Sequence, residues 1–265
     1  MRDCVDLEAR IACLDDRSSR STEGLSPVGD VEHLVSVVQQ IVQPNDVVGS
    51  GRTQIATDAD TADAAQRRCH LLERLGRLAP SVVDGPVDLG AQYWIATGRA
   101  HWLPPVDRIL HEEKFVAINP EALRTRNVKP FGFGLFTSTG LFDTPGMWRI
   151  YLRGYENSQL YPGPWLTWHV RPRQDAAVYE VRDAARWVEL LESYPRNVNG
   201  LVFPDWPRIA ESYDAVHITL RAVVATQGVA FVGRCGLSAP PFWDVETTWW
   251  LRWCFSSAEP LPSGL

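Results

Sequence analysis

Trp243-Asp-Val-Glu-Thr-Thr-Trp-Trp-Leu-Arg-Trp253 reads as part of a β-strand, predicted over Val245–Phe255. At period two, Asp244, Glu246, Thr248, Trp250 and Arg252 fall on one face. Val245, Thr247, Trp249, Leu251 and Trp253 fall on the other, which is apolar and expected to face the core. Two carboxylates two residues apart beside a tryptophan are unusual on a purely structural surface. Buried together, they would repel and one would hold its proton above the usual carboxylate range. The alternative for this face is a solvated surface with Arg252 as ion-pair partner.

Working outward, short apolar and aromatic runs broken by Gly and Pro continue back to Pro86 and read as further strands. They are Arg108–His111, Gly134–Ser138, Trp148–Leu152, Trp165–Val170, Ala177–Glu180, Ala215–Leu220 and Val229–Val232. Helices are predicted at Pro120–Thr125, Asp183–Tyr194 and Trp206–Ser212, the last capped by Asp205 with Pro207 early in the helix. Before Pro86 the texture differs. Residues 1–30 are polar and turn-rich, and helices are predicted over Asp30–Val42 and about Thr57–Leu78. The expected architecture is α+β, with split antiparallel sheets and flanking helices over 86–265, preceded by a helical appendage over 1–85.

The bulk properties suit a soluble domain. The 265 residues are 45% hydrophobic, enough to bury a sizeable core, and 22% charged, which gives no case for disorder. Lys plus Arg number 26 against 32 Asp plus Glu, so a broad basic surface for duplex nucleic acid is not expected. Cys4, Cys13, Cys69, Cys235 and Cys254 are odd in number, widely spaced and without a CxxC pair. That pattern fits reduced thiols in a cytoplasm rather than a disulfide framework or a zinc site. The first residues carry acids where a signal peptide needs an apolar segment, and no apolar run approaches the roughly 18 residues of a membrane span. Eleven Trp against two Met is the one compositional oddity.

Two other stretches carry polar groups suited to a site. In Val106-Asp-Arg-Ile-Leu-His111, Arg108 and His111 sit near the end of a short strand, where each could equally be a structural hydrogen bonder. In Lys129-Pro-Phe-Gly-Phe-Gly-Leu-Phe-Thr-Ser-Thr-Gly140, Gly132 and Gly134 lead into a strand ending in three hydroxyls. Glycines there allow a flat ligand close to the backbone, and Thr137, Ser138 and Thr139 can bond ribose or phosphate. An ordinary glycine-rich hairpin turn is the competing reading. His169 and His217, inside strand-like runs, read as core or interface histidines.

The three stretches, in this order, resemble the ADP-ribosyltransferase fold shared by bacterial mono-ADP-ribosyltransferase toxins and poly(ADP-ribose) polymerases. Gly132-Phe-Gly134-Leu-Phe136 is similar to the polymerase-type turn, Thr137-Ser138-Thr139 to the toxin-type Ser-Thr-Ser, and Asp244-Val-Glu246 to the toxin-type Glu/Gln-x-Glu, with Asp in the first place. The resemblance implies an enzyme that uses NAD as substrate. It would transfer ADP-ribose to a protein or nucleic acid, or hydrolyse NAD. It further implies Glu246 as the catalytic carboxylate, a first-strand Arg108 or His111 holding NAD, and Ser138 bracing the ribose. Asp244 could activate the acceptor, while Phe136 or Trp250 could stack on nicotinamide. The chain departs from the pattern where Glu112 follows His111 and where Arg108 lacks an aromatic-Arg-Gly setting. A toxin or conflict-system role is implied by the resemblance alone, and the helical N-terminal part could bind a partner, an inhibitor protein or the target.

Two other classes fit the residues. One is a non-catalytic module whose aromatic-rich β surface recognises a sugar, nucleotide or peptide. The other is a glycoside hydrolase using Asp244 and Glu246, which a shared strand face would place ~7 Å apart.

Overall fold

A computed structural model describes residues 72–73, 76–77, 79–97, 109–118, 128–129, 132–141, 144–153 and 161–262. The helices predicted over Asp30–Val42 and Pro120–Thr125, most of that over Thr57–Leu78, and Arg108 lie outside the described residues. What is described is α+β. Strands β1 (Gln92–Ala96), β2 (Leu135–Thr139), β3 (Leu166–Pro172), β4 (Val178–Val181), β7 (Ala215–Ile218), β10 (Thr247–Trp250) and β11 (Phe255–Pro260) form one seven-stranded sheet. Its order is β11-β3-β1-β2-β10-β7-β4, antiparallel throughout except for the parallel pair β4 and β7.

The sheet has one short seam. β1 and β2 pair only through Gln92 with Thr139 and Tyr93 with Ser138, whereas β1 and β3 are in register over five pairs from Gln92 with Val170 to Ala96 with Leu166. The half β11-β3-β1 therefore meets the half β2-β10-β7-β4 over two residue pairs.

Both faces of the central strands are covered, so β10 is buried at all four positions and its sequence carries no polar-out alternation. On one face Trp249 joins a core with Ile95, Val181, Val216 and Ile218. Helices α1 (Pro80–Val83), α3 (Ala184–Ser193), α4 (Trp206–Ser212) and α5 (Leu220–Thr226) contribute Val83, Trp187, Trp206, Ile209 and Val223 to the same core. On the other, Trp94, Leu135, Val170, Ala215 and Trp250 pack together. The tryptophans thus belong mainly to the interior: Trp187, Trp206, Trp243, Trp249 and Trp250 are among the largest fully buried side chains. Trp243 and Trp206 meet edge to face at 6.3 Å and Trp206 and Trp249 at 4.4 Å, geometries that aromatic quadrupoles favour.

Local chemistry explains several boundaries. Asp183 caps α3 by accepting from the Arg186 N–H at 2.8 Å, and Asp205 caps α4, as its place before Trp-Pro predicts. Thr219 caps α5 the same way, so the strand predicted to Leu220 stops at Ile218. Strands β5 (Pro195–Val198) and β6 (Leu201–Pro204) form a hairpin across Asn199-Gly200, both with positive φ (50° and 82°). The stretch Val229–Val232 yields only β8 (Val232–Gly233), paired with β9 (Gly236–Leu237).

Three expectations are corrected. Trp148–Leu152 is not a strand but most of helix α2 (Met147–Arg153), with Met147, Ile150, Tyr151 and Leu152 buried. A five-residue stretch carries no decisive period, and Gly146 at φ 87° turns the chain into the helix. Ile109–His111 is not a strand: His111 caps a 3₁₀ turn over Glu112–Lys114. The strand predicted over Val245–Phe255 is broken, because β10 ends at Trp250 and β11 starts at Phe255. Trp253 consequently packs with Phe115 and Phe255 in the second cluster rather than beside Trp249.

Candidate functional site

The seam and the strand pairing next to it bring one polar side chain from each of five chain segments into a line. Gln92 on β1 lies opposite Thr139 on β2, and Glu180 on β4 lies beside His217 on β7. Glu246, directly before β10, fills the space between Thr139 and His217.

The bonds are continuous. Gln92 Nε2 donates to Thr139 Oγ1 at 3.0 Å, and Thr139 Oγ1 donates to Glu246 Oε1 at 2.8 Å. The Thr139 N–H lies 3.2 Å from Oε1 and 3.1 Å from Oε2 of the same carboxylate. His217 Nε2 is 3.0 Å from Glu246 Oε1, and its Nδ1 is 2.7 Å from Glu180 Oε2. Glu180 Oε1 in turn accepts the Val87 N–H at 2.7 Å. Gln92, His217 and Glu246 have no exposed surface, while the Glu180 side chain keeps 15%. A buried polar row of this kind is tolerated only when each member finds a partner, and here each does.

The electrostatics follow from that geometry. Burial pushes the His217 pKa down, but its bonds to Glu180 and Glu246 outweigh burial and raise it to about 9. The ring is therefore an imidazolium at neutral pH, donating from both nitrogens. For Glu180, burial pushes the pKa up, yet the bond and attraction to His217 and the Val87 N–H hold it below the usual carboxylate range. One positive charge between two carboxylates makes each bond charge-assisted. Among the described residues, Glu246 Oε2 accepts only from the Thr139 N–H, which leaves it the carboxylate's open oxygen.

Asp244 does not share Glu246's strand face. Its φ of 68° turns the chain, and its Oδ1 accepts from Gln227 Nε2 at 3.4 Å. Gln227 Oε1 also accepts the N–H groups of Trp243 at 2.7 Å and Asp244 at 3.3 Å, pinning the turn. Burial pushes the Asp244 pKa up, opposed by Lys129, whose own pKa burial pushes down. Lys129 Nζ sits over the rings of Phe136 at 4.8 Å and Trp148 at 5.7 Å. Arg252 pairs with Asp214 Oδ1 at 2.9 Å rather than with Asp244 or Glu246.

The hydroxyl strand divides between the two faces. Thr137 and Thr139 point with Glu246: Thr137 Oγ1 donates to Gln92 Oε1 at 2.6 Å and accepts from Trp250 Nε1 at 2.8 Å. Ser138 and Phe136 point the other way. Ser138 Oγ donates to the Glu246 carbonyl at 3.2 Å and accepts the Trp148 N–H at 3.2 Å, and Phe136 stacks on Trp249 at 5.1 Å. The structure thus brings Thr139, Thr137 and Trp250 to Glu246's side of the sheet and sets Ser138 and Phe136 behind it. Gly134 has φ 62°, and a Cβ there would collide with the Trp250 carbonyl, so the turn into β2 requires glycine. His111 is exposed and off the sheet, its Nδ1 accepting from Glu113 N–H at 3.4 Å.

Gln92, Glu180 and His217 escaped the sequence reading as site residues. The available signal was a histidine and a glutamate each inside a predicted strand of apolar neighbours, where a buried ionisable group needs a charged partner. Among the described residues, no group of three His, Cys, Asp or Glu side chains has the arrangement of a metal site, and no helix is long and apolar enough to cross a membrane. Comparisons with protein-family models, with curated proteins and with solved structures find no match to this chain.

Proposed function

We propose that this chain is an ADP-ribosyltransferase-like enzyme that cleaves NAD at the nicotinamide–ribose bond, with Glu246 as its catalytic carboxylate. The observation that carries the reading is the hold of Thr139 on Glu246. The N–H and hydroxyl of the second-strand hydroxyl motif grip the carboxylate of the late-strand acidic motif. These are two of the three motifs on which the resemblance rests, and they are far apart in sequence. The described sheet is continuous across β1 and β2, so the split-sheet architecture rests on the resemblance alone.

In the reaction, the C–N bond breaks and its electron pair leaves with nicotinamide. The ribose carbon, oxocarbenium-like in the transition state, is captured by water or by a nucleophile of a protein or nucleic acid, which gives up its proton. Glu246 Oε2 would stabilise the developing positive charge and orient a ribose hydroxyl. Glu246 is fully buried, so the reading requires the site to open for NAD. Of the two residues proposed to hold NAD, His111 lies exposed and off the sheet, and Arg108 lies outside the described residues. Asp244, turned into its pairing with Lys129 and Gln227, is not assigned to the acceptor. A toxin role remains part of this reading through the resemblance alone.

The test is nicotinamide release from NAD by purified protein. Wild type should release it, and Glu246→Gln should be slower by ~10²-fold. A folded wild type that neither binds nor cleaves NAD overturns the reading.

A further inference from the structure

We propose that His217 and Glu180 form a positioning relay for Glu246. Glu180 Oε2 holds His217 Nδ1–H, so that Nε2–H fixes Glu246 Oε1 and turns Oε2 toward the substrate. The proposal rests on the reading of Glu246 given above and adds two residues that touch neither NAD nor the acceptor.

Three observations carry it. First, the geometry is directional: the ring's two nitrogens lie 2.7 Å and 3.0 Å from carboxylates on opposite sides, so rotation of the imidazole would break both bonds. Second, the relay is anchored at its outer end, where Glu180 Oε1 accepts the Val87 N–H at 2.7 Å and the parallel register sets Glu180 beside His217. Third, the relay and Thr139 act on the same oxygen from two directions. Among the described residues, Oε1 receives the Thr139 hydroxyl and the His217 ring, while Oε2 accepts only the Thr139 N–H.

Burying two acids and a histidine purely for stability is a poor exchange. Taking charges out of water costs several kcal/mol each, and well-packed apolar residues of similar volume often do as well. Orientation of a reacting carboxylate gives such a row a use, because a displacement of about 1 Å at a reacting group can cost ~10²-fold in rate.

The groups facing His217 are Glu180 from β4, Glu246 from the approach to β10 and the Thr248 hydroxyl from β10, with the Arg182 charge acting on Glu180. In wild type the ring stays charged well above neutrality. Replacing Glu180 by glutamine removes one of the two acids that keep it so, and its titration should move down toward the ordinary histidine range.

The experiment measures kcat and KM for nicotinamide release against pH in wild type, Glu180→Gln, His217→Gln and His217→Ala. Circular dichroism checks the fold of each. His217→Ala should lose ~10²-fold in kcat with KM changed less than about threefold. His217→Gln, which keeps a donor toward Glu246, should recover about tenfold of that loss. In Glu180→Gln the alkaline limb of the profile should move from about pH 9 toward 6.5. Should His217→Ala fail to fold, the Glu180→Gln profile decides, since that side chain is partly exposed. An active wild type with a superimposable Glu180→Gln profile overturns the relay and leaves the NAD reading standing. A wild type that releases no nicotinamide overturns that reading and the positioning role with it.

Discussion

His217 Nε2 lies 3.0 Å from Glu246 Oε1 inside the sheet, and neither side chain has any exposed surface. The charged ring donates to a carboxylate on each side, whereas a neutral ring keeps one N–H, so one carboxylate would lose its donor and both would lose the positive charge between them.

Stability should therefore depend on pH in a defined window. The folded His217 pKa of about 9 lies above its unfolded value of 6.5, so its contribution is complete below 6.5 and lost as pH rises through about 9. The size is on the order of 3 kcal/mol. Glu180 has the opposite sign: its folded pKa lies below 4.5, so its contribution is present above 4.5 and lost on acidification. Urea unfolding at pH 6 and pH 10 should show the loss on the alkaline side. Equal unfolding free energies at the two pH values would contradict the buried charge.

Thr139→Val keeps the shape of the side chain and the N–H contacts to Glu246 but removes a hydroxyl that serves both Gln92 and Glu246. It should cost about 1–3 kcal/mol of stability and slow nicotinamide release by roughly tenfold. An unchanged rate would mean that Thr139 does not orient the carboxylate.

Gly134→Ala forces a Cβ into the Trp250 carbonyl at a positive φ. A loss of at least ~1 kcal/mol is expected in urea titration, with the midpoint lowered. A variant as stable as wild type would place the β2 turn differently.

Cys254 is buried, and its thiol is pushed up to about 12 chiefly by burial, whereas Cys235 is partly exposed in the turn between β8 and β9. Brief alkylation of the native protein at pH 8 followed by peptide mapping should modify Cys235 well before Cys254. Comparable modification of the two would contradict the packing around Cys254.

The sequence made part of this legible. The hydroxyl run Thr137-Ser138-Thr139 falls on a strand, and Asp183 and Asp205 act as caps where their side chains suit the role. Glu246, Thr248 and Trp250 share a face as alternation requires, with Val245, Trp249 and Leu251 in the opposite core. Asp244 broke the pattern through a left-handed backbone conformation, which Asp tolerates but residue order does not announce. Strand β1 is a short apolar run, and such runs do not identify themselves by period. The Asn199-Gly200 hairpin signal was present and went unread. The pairing of Glu180 with His217, 37 residues apart, depends on a parallel register set by a long crossover, which local pattern cannot supply.

The most direct test of the central claim is NAD turnover by wild type beside Glu246→Gln at neutral pH. The account predicts nicotinamide release by wild type and a loss of ~10²-fold in the variant, with the fold intact by circular dichroism. Equal release by the two proteins, or none by a folded wild type, would contradict it.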